Sequence, residues 1–137
     1  MTKIEALAEH LGIEAEDIEV SRWDENTFEG DGGEYRVLTD AEADEAVADS
    51  VAESLWAFNP GFILTFLGVS CGRAEDAFGK MLSTLCEDAN PFIAAMLGDK
   101  LPEFIERAVS YDGRGHFLAS YDSDEIEAGD FYIYRTN

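Results

Sequence analysis

Few residues in this sequence have both the chemistry and the spacing to act as catalysts. His116 sits in Gly113-Arg114-Gly115-His116, and a glycine-flanked imidazole can serve as a general base. No serine or cysteine nucleophile can be paired with it from spacing, so a hydrolase around His116 ranks as a distant third reading. A loop histidine bonded to backbone or carboxylate is the simpler one. His10 falls near a helix C-terminus, where a cation is favoured without any catalytic role. Asp122, Asp124 and Glu127 are cation-ligand types, but they lack the central glycine and the acid spacing of an EF-hand loop. Cys71 and Cys86, with His116 far downstream, do not make a zinc pattern. Asp31-Gly32-Gly33 precedes a strand pattern, whereas a phosphate cradle needs a following helix N-terminus. The expectation is a non-enzyme with no catalytic residue, no metal and no cofactor.

A different kind of chemistry lies between Asp40 and Phe58. At about 100° per residue, Glu42, Glu45, Asp49 and Glu53 share one narrow stripe of a helix. Ala43, Val47, Val51, Leu55 and Phe58 take the opposite side. The stripe has no interleaved lysine or arginine. Like charges at i, i+4 cost a few tenths of a kcal/mol each, so the helix forgoes about 1 kcal/mol. At about 1.5 Å per residue the carboxylates follow one another roughly every 5 Å, near the ~3.4 Å per phosphate of one DNA strand. Such a stripe can occupy a basic groove built for nucleic acid, or it can be a solvated face. Trp56 falls on the acidic side. It is expected either as an exposed interface anchor or as a ring covered by the Asn59-Pro60 turn.

The elements that carry these residues follow from local signals. Ile4, Leu7, Ala8 and Leu11 have helical spacing, with Thr2 and Glu5 as a capping box and Gly12 as a stop. Residues 13–26 read as irregular or a short strand. Thr27 to Gly30 and Glu34 to Leu38 flank a glycine turn and predict a hairpin. Thr39 and Glu42 form a second capping box, opening a helix to about Phe58. Asn59-Pro60 and Asn90-Pro91 read as the same capping device, before short helices over Phe62 to Leu67 and Phe92 to Leu97. Arg73 to Glu87 is predicted helical, with Ala77, Phe78, Met81, Leu82 and Leu85 inward. Pro102 opens a helix to about Ser110, and Gly113-Arg114-Gly115 breaks the chain. Ile126 and Phe131 to Arg135 predict a closing hairpin around Gly129-Asp130. Tyr132 and Tyr134 share one face of its last strand and read as sheet packing. An isolated hairpin is marginal, so the N-terminal and C-terminal hairpins are expected in one small antiparallel sheet. The predicted fold is a helix-rich α+β single domain spanning residues 1–137.

Charge is the dominant compositional feature. Thirty acids against nine bases give a net −21 in 137 residues, with 46% apolar residues to build a core. Residues 1–58 hold net −14 of that charge. Such a chain repels nucleic acid and anionic membrane surfaces, so its expected partners are basic proteins. No apolar run reaches the roughly 20 residues of a membrane span, and the first residues have no leader-like apolar stretch. Cys71 and Cys86 do not make a disulfide framework, which fits reduced thiols and a cytoplasmic location in a host cell.

The segments EYRVLTDAEADEAVADSVAESLW, residues 34–56, and DGRGHFLASYDSDEIEAGDFYIYRTN, residues 112–137, resemble a family of small acidic proteins encoded by bacteriophages and other mobile elements. The resemblance implies a mobile-element origin and carries no site residues. The expectation is a non-enzymatic acidic binding protein that mimics nucleic acid and inhibits a basic host DNA-binding protein or nuclease, of antirestriction or anti-CRISPR type. Glu42, Glu45, Asp49, Glu53 and Trp56 are its candidate partner-binding residues. The alternative is an accessory or structural domain whose acidity serves solubility, including a halophilic origin.

Overall fold

The computed structural model describes all 137 residues. The fold is α+β, rich in helix, with one five-stranded antiparallel sheet. The chain divides into two compact units. One comprises Met1–Val47 and Tyr111–Asn137, the other Ala48–Ser110.

The first unit holds the sheet. Helix α1 (Lys3–Leu11) opens on the predicted capping box: Glu5 N donates to Thr2 Oγ1 and Thr2 N to Glu5 Oε2. Gly12 closes it in the left-handed region, at φ 69°, where a side chain would be strained. A single 3-10 turn over Ala15–Asp17 leads to β1 (Glu19–Val20), then β2 (Thr27–Gly30) and β3 (Gly33–Thr39). Asp31 and Gly32 join β2 to β3 with φ of 49° and 76°. A two-residue turn matching the twist of its strands needs such positive values.

Strands β4 (Ile126–Ala128) and β5 (Phe131–Arg135) form the second hairpin. The order across the sheet is β1-β2-β3-β5-β4. The β3–β5 register runs from Tyr35 opposite Arg135 to Thr39 opposite Phe131, so the two hairpins share one sheet as predicted. Side chains alternate between the faces. Phe28, Tyr35, Val37 and Ile133 pack with Ile18 and with Leu7 and Ala8 of α1. Leu38 and Tyr134 are buried on the opposite face. Arg114–Leu118 does not lie in a broken stretch as predicted but forms a short helix, α7. Only Gly113, at φ 80°, interrupts the backbone.

Helix α2 (Asp40–Glu53) begins in the first unit and ends in the second. It ends short of the predicted Phe58. Ser54 leaves helical geometry at φ −124° and ψ 29°, and Leu55–Ala57 make a 3-10 turn. The second unit continues with α3 (Pro60–Phe66), capped by Asn59 through Gly61 N as predicted. Then come α4 (Gly72–Leu85), α5 (Asn90–Leu97) and α6 (Leu101–Asp112), which ends in the first unit. Phe104 is fully buried, with Phe58, Phe62 and Phe66 edge-on to it at centroid distances of 5.3–5.4 Å.

Three local expectations change. In α3 only Ile63 and Leu64 are buried, and Phe62 and Phe66 are half-buried. In α4, Phe78 and Leu82 are buried and Met81 half-buried, but Ala77 and Leu85 are exposed. Its neighbours bury only the i, i+4 pair Phe78 and Leu82. Asn90 is not a cap; it sits inside the first turn of α5, after Ala89 in helical geometry. Its amide instead donates to Ala52 O at 2.7 Å and accepts from Trp56 N at 3.2 Å. No helix is long and apolar enough to cross a membrane.

Candidate functional site

The buried side of α2 is as the wheel predicts, with Ala43, Val47, Val51 and Leu55 all buried. Along the opposite side, Glu45, Asp49 and Glu53 are exposed and form no ion pair. Glu42 differs. Its Oε1 accepts from Lys3 Nζ at 2.7 Å and from Thr39 N at 2.9 Å, and its Oε2 accepts from Asn26 Nδ2. The Lys3 hydrogen bond, followed by that of the Thr39 N–H, lowers its pKa to about 2. Glu42 is thus half-buried and neutralised by a lysine from another element. Three exposed carboxylates remain of the predicted four-residue stripe.

Trp56 is half-buried, so of its two expected placements the exposed anchor does not hold. Its predicted position assumed an unbroken helix, and the change of geometry at Ser54 resets the phase.

Arg114 is a structural hub. Its Nη1 lies 2.9 Å from Asp40 Oδ1 and 3.0 Å from Asp44 Oδ1, and its Nε lies 2.8 Å from Glu125 Oε2. The guanidinium also lies over the Tyr132 ring, 4.6 Å from its centroid. Burial opposes its charge, but the hydrogen bonds it donates to Glu125 and Asp40 outweigh burial and raise its pKa. Tyr134 Oη donates to the same Glu125 oxygen, and burial together with that bond raises the tyrosine pKa. His116 is exposed on α7, its ring edge-on to Phe117. Asp122 Oδ1 accepts from Asp124 N within a local turn, and no group of three or more His, Cys, Asp or Glu is arranged to hold a metal ion. Cys71 and Cys86 are both free and exposed.

The electrostatics of the first unit are more lopsided than its composition. It carries twenty-one acids and five bases, a net −16, against −5 for the second unit. Four of those five bases are turned into the structure. Lys3 is held by Glu42 and Asn26, and Arg114 by three carboxylates. Arg36 is half-buried, its Nε enclosed without a hydrogen-bond partner. Arg135 lies 3.8 Å from the Tyr121 ring centroid and 5.7 Å from that of Tyr35. Only Arg22 stands exposed.

Two features escaped the sequence reading. Trp23, in the β1–β2 connection, is 94% exposed. A tryptophan flanked only by Ser, Arg, Asp, Glu and Asn was the available signal. The second is a transverse row of carboxylates: Glu19 pairs with Glu29, and Glu29 with Glu34, directly across β1, β2 and β3. Partners in an antiparallel register point to the same face, so the three follow one another at about 5 Å. That spacing depends on strand register, which the sequence did not disclose. Comparison with known proteins returns nothing further: no family model matches the chain, and no curated protein and no solved structure matches it.

Proposed function

We propose that the protein is a non-enzymatic binding protein that offers an anionic surface to a basic, nucleic-acid-binding protein and competes with nucleic acid for it. The observation that carries this reading is the inward placement of cations in the first unit. A surface that serves solubility mixes both signs. Here Lys3 and Arg114 are held by carboxylates, Arg135 lies on a tyrosine ring and Arg36 is half-buried, so only Arg22 stands exposed among the exposed carboxylates of this unit. A field of one sign accelerates encounter with an oppositely charged partner and weakens with salt. The mobile-element resemblance of residues 34–56 and 112–137 fits a decoy directed at host DNA-binding proteins or nucleases.

The test is retention of host-lysate proteins on immobilised protein at low salt, elution with rising salt, and a DNA-binding assay of each eluted protein. The expected result is a basic protein whose duplex binding is displaced by added chain. Retention of no DNA-binding protein at about 50 mM salt would refute the reading and leave acidity as a solubility device.

A further inference from the structure

We infer that the open sheet edge at β1, with Trp23, is the docking surface for an extended, arginine-bearing segment of the partner; this rests on the acidic-binding reading above. Strand β1 lies at the end of the sheet, with β2 on one side and no strand on the other. Ser21 N donates to Thr27 O, so by the alternation of antiparallel ladders the Val20 N–H and C=O point away from β2, to the open side. The Val20 side chain is 49% exposed. Native edges are ordinarily guarded by short length, charge, proline or a covering element. Here β1 is only two residues long and its charge is the acidic Glu19, which guards against a neutral or acidic strand but not against a basic one, and the exposed ring beside it is a tryptophan.

The backbone on either side of the exposed Trp23 is braced. The Trp23 backbone N–H donates to Ser21 Oγ at 3.2 Å. Next to it, Asp24 accepts from Asn26 N at 2.9 Å through one carboxylate oxygen and from Thr27 Oγ1 at 2.8 Å through the other. Thr27 N donates to Asp24 O. The connection therefore needs little ordering when a partner arrives, which lowers the entropic cost of binding. Trp23 borders an open groove of about 240 Å³ together with Glu19, Val20, Ser21, Arg22 and Glu29. Glu19 and Glu29 are exposed cross-strand neighbours without an ion pair, an arrangement that costs stability in the free chain.

The occupant follows from charge. Residues 14–34 hold nine acids and Arg22 alone as a base. A second copy of this chain would bring Glu19 and its neighbours against themselves, and nucleic acid or an anionic membrane would be repelled. A lysine satisfies the carboxylates only. An arginine also lays its planar guanidinium on an indole face and can fork to two carboxylate oxygens.

The experiment uses the full chain and two labelled peptides, one of alternating arginine and valine and one of alternating lysine and valine, read by fluorescence anisotropy at about 100 mM salt. The arginine peptide is expected to bind about tenfold tighter than the lysine peptide. Trp23→Ala should abolish that preference. Glu19→Gln with Glu29→Gln should weaken both peptides about tenfold, more than Glu45→Gln with Asp49→Gln and Glu53→Gln does. All these side chains are exposed, and circular dichroism checks the fold of each variant. If the Trp23 and Glu19/Glu29 variants bind like wild type while the α2 variant does not, this surface is refuted and acidic binding stands. If wild type binds neither peptide even at about 20 mM salt, both fall. A concentration-dependent dimer lost in Trp23→Ala would assign the edge to self-association and overturn the inference.

Discussion

Lys3 Nζ lies 2.7 Å from Glu42 Oε1, an ion pair that ties α1 to the first turn of α2. The same carboxylate closes the Thr39 capping box. One residue thus satisfies an orphan helix N–H and anchors a neighbouring element.

The pH dependence follows from that pair. Glu42 has its pKa lowered from 4.5 to about 2 in the folded protein. Its contribution is complete above the unfolded pKa and is lost as pH falls through the folded one. Glu42→Gln should therefore lower stability by about 1 kcal/mol at neutral pH. The gap between wild type and variant should shrink between pH 4.5 and 2. Urea unfolding at neutral pH and at several acidic pH values measures it.

Along the same helix, Glu45→Gln, Asp49→Gln and Glu53→Gln together should leave stability unchanged or raise it by a few tenths of a kcal/mol per relieved repulsion. Adding Glu42→Gln should reverse the sign, because that side chain is a cap rather than a free surface charge. Thermal unfolding of the triple and quadruple variants separates the two roles.

Arg114→Met should destabilise by about 2–3 kcal/mol. It removes the one cation shared by Asp40, Asp44 and Glu125 and leaves Tyr134 bonded to an uncompensated carboxylate. Arg114→Lys should recover only part of the loss, since an ammonium cannot reproduce the fork. Added salt should narrow the difference by screening the three carboxylates. Denaturant midpoints at low and high salt check both points.

Gly115→Ala tests how tightly α7 is seated. A Cβ there would meet Ser123 O at 2.5 Å and the backbone of Asp124 and Glu125 at 3.0 Å. Backbone cannot swing away as a side chain can, so the loop must move, at a cost of about 2–3 kcal/mol. Faster hydrogen exchange at residues 119–126 is the accompanying signature. Unchanged stability and exchange would mean that the loop accommodates a methyl freely.

Much of the secondary structure was legible because its causes are local. The capping boxes at Thr2/Glu5 and Thr39/Glu42, the Asn59-Pro60 start and the glycine turns are each decided within a few residues. The apolar side of α2 and the union of two marginal hairpins follow from periodicity and from the instability of an unpartnered ribbon. What failed depended on distant partners or on a break in phase. Glu42 belongs to an acidic stripe on a wheel, but a lysine thirty-nine residues away claims it. Asn90 matches a capping pattern, yet Ala52 and Trp56, more than thirty residues upstream, take its amide. Trp56 was placed by extending a helix that ends at Glu53. Trp23 carried no periodic signal, and the Glu19–Glu29–Glu34 row exists only through strand register. The sequence by itself determined how much negative charge the protein carries and where its helices and turns begin. Which charges stay free was decided by tertiary structure, because a cation is used up only when folding brings it against a carboxylate or a ring.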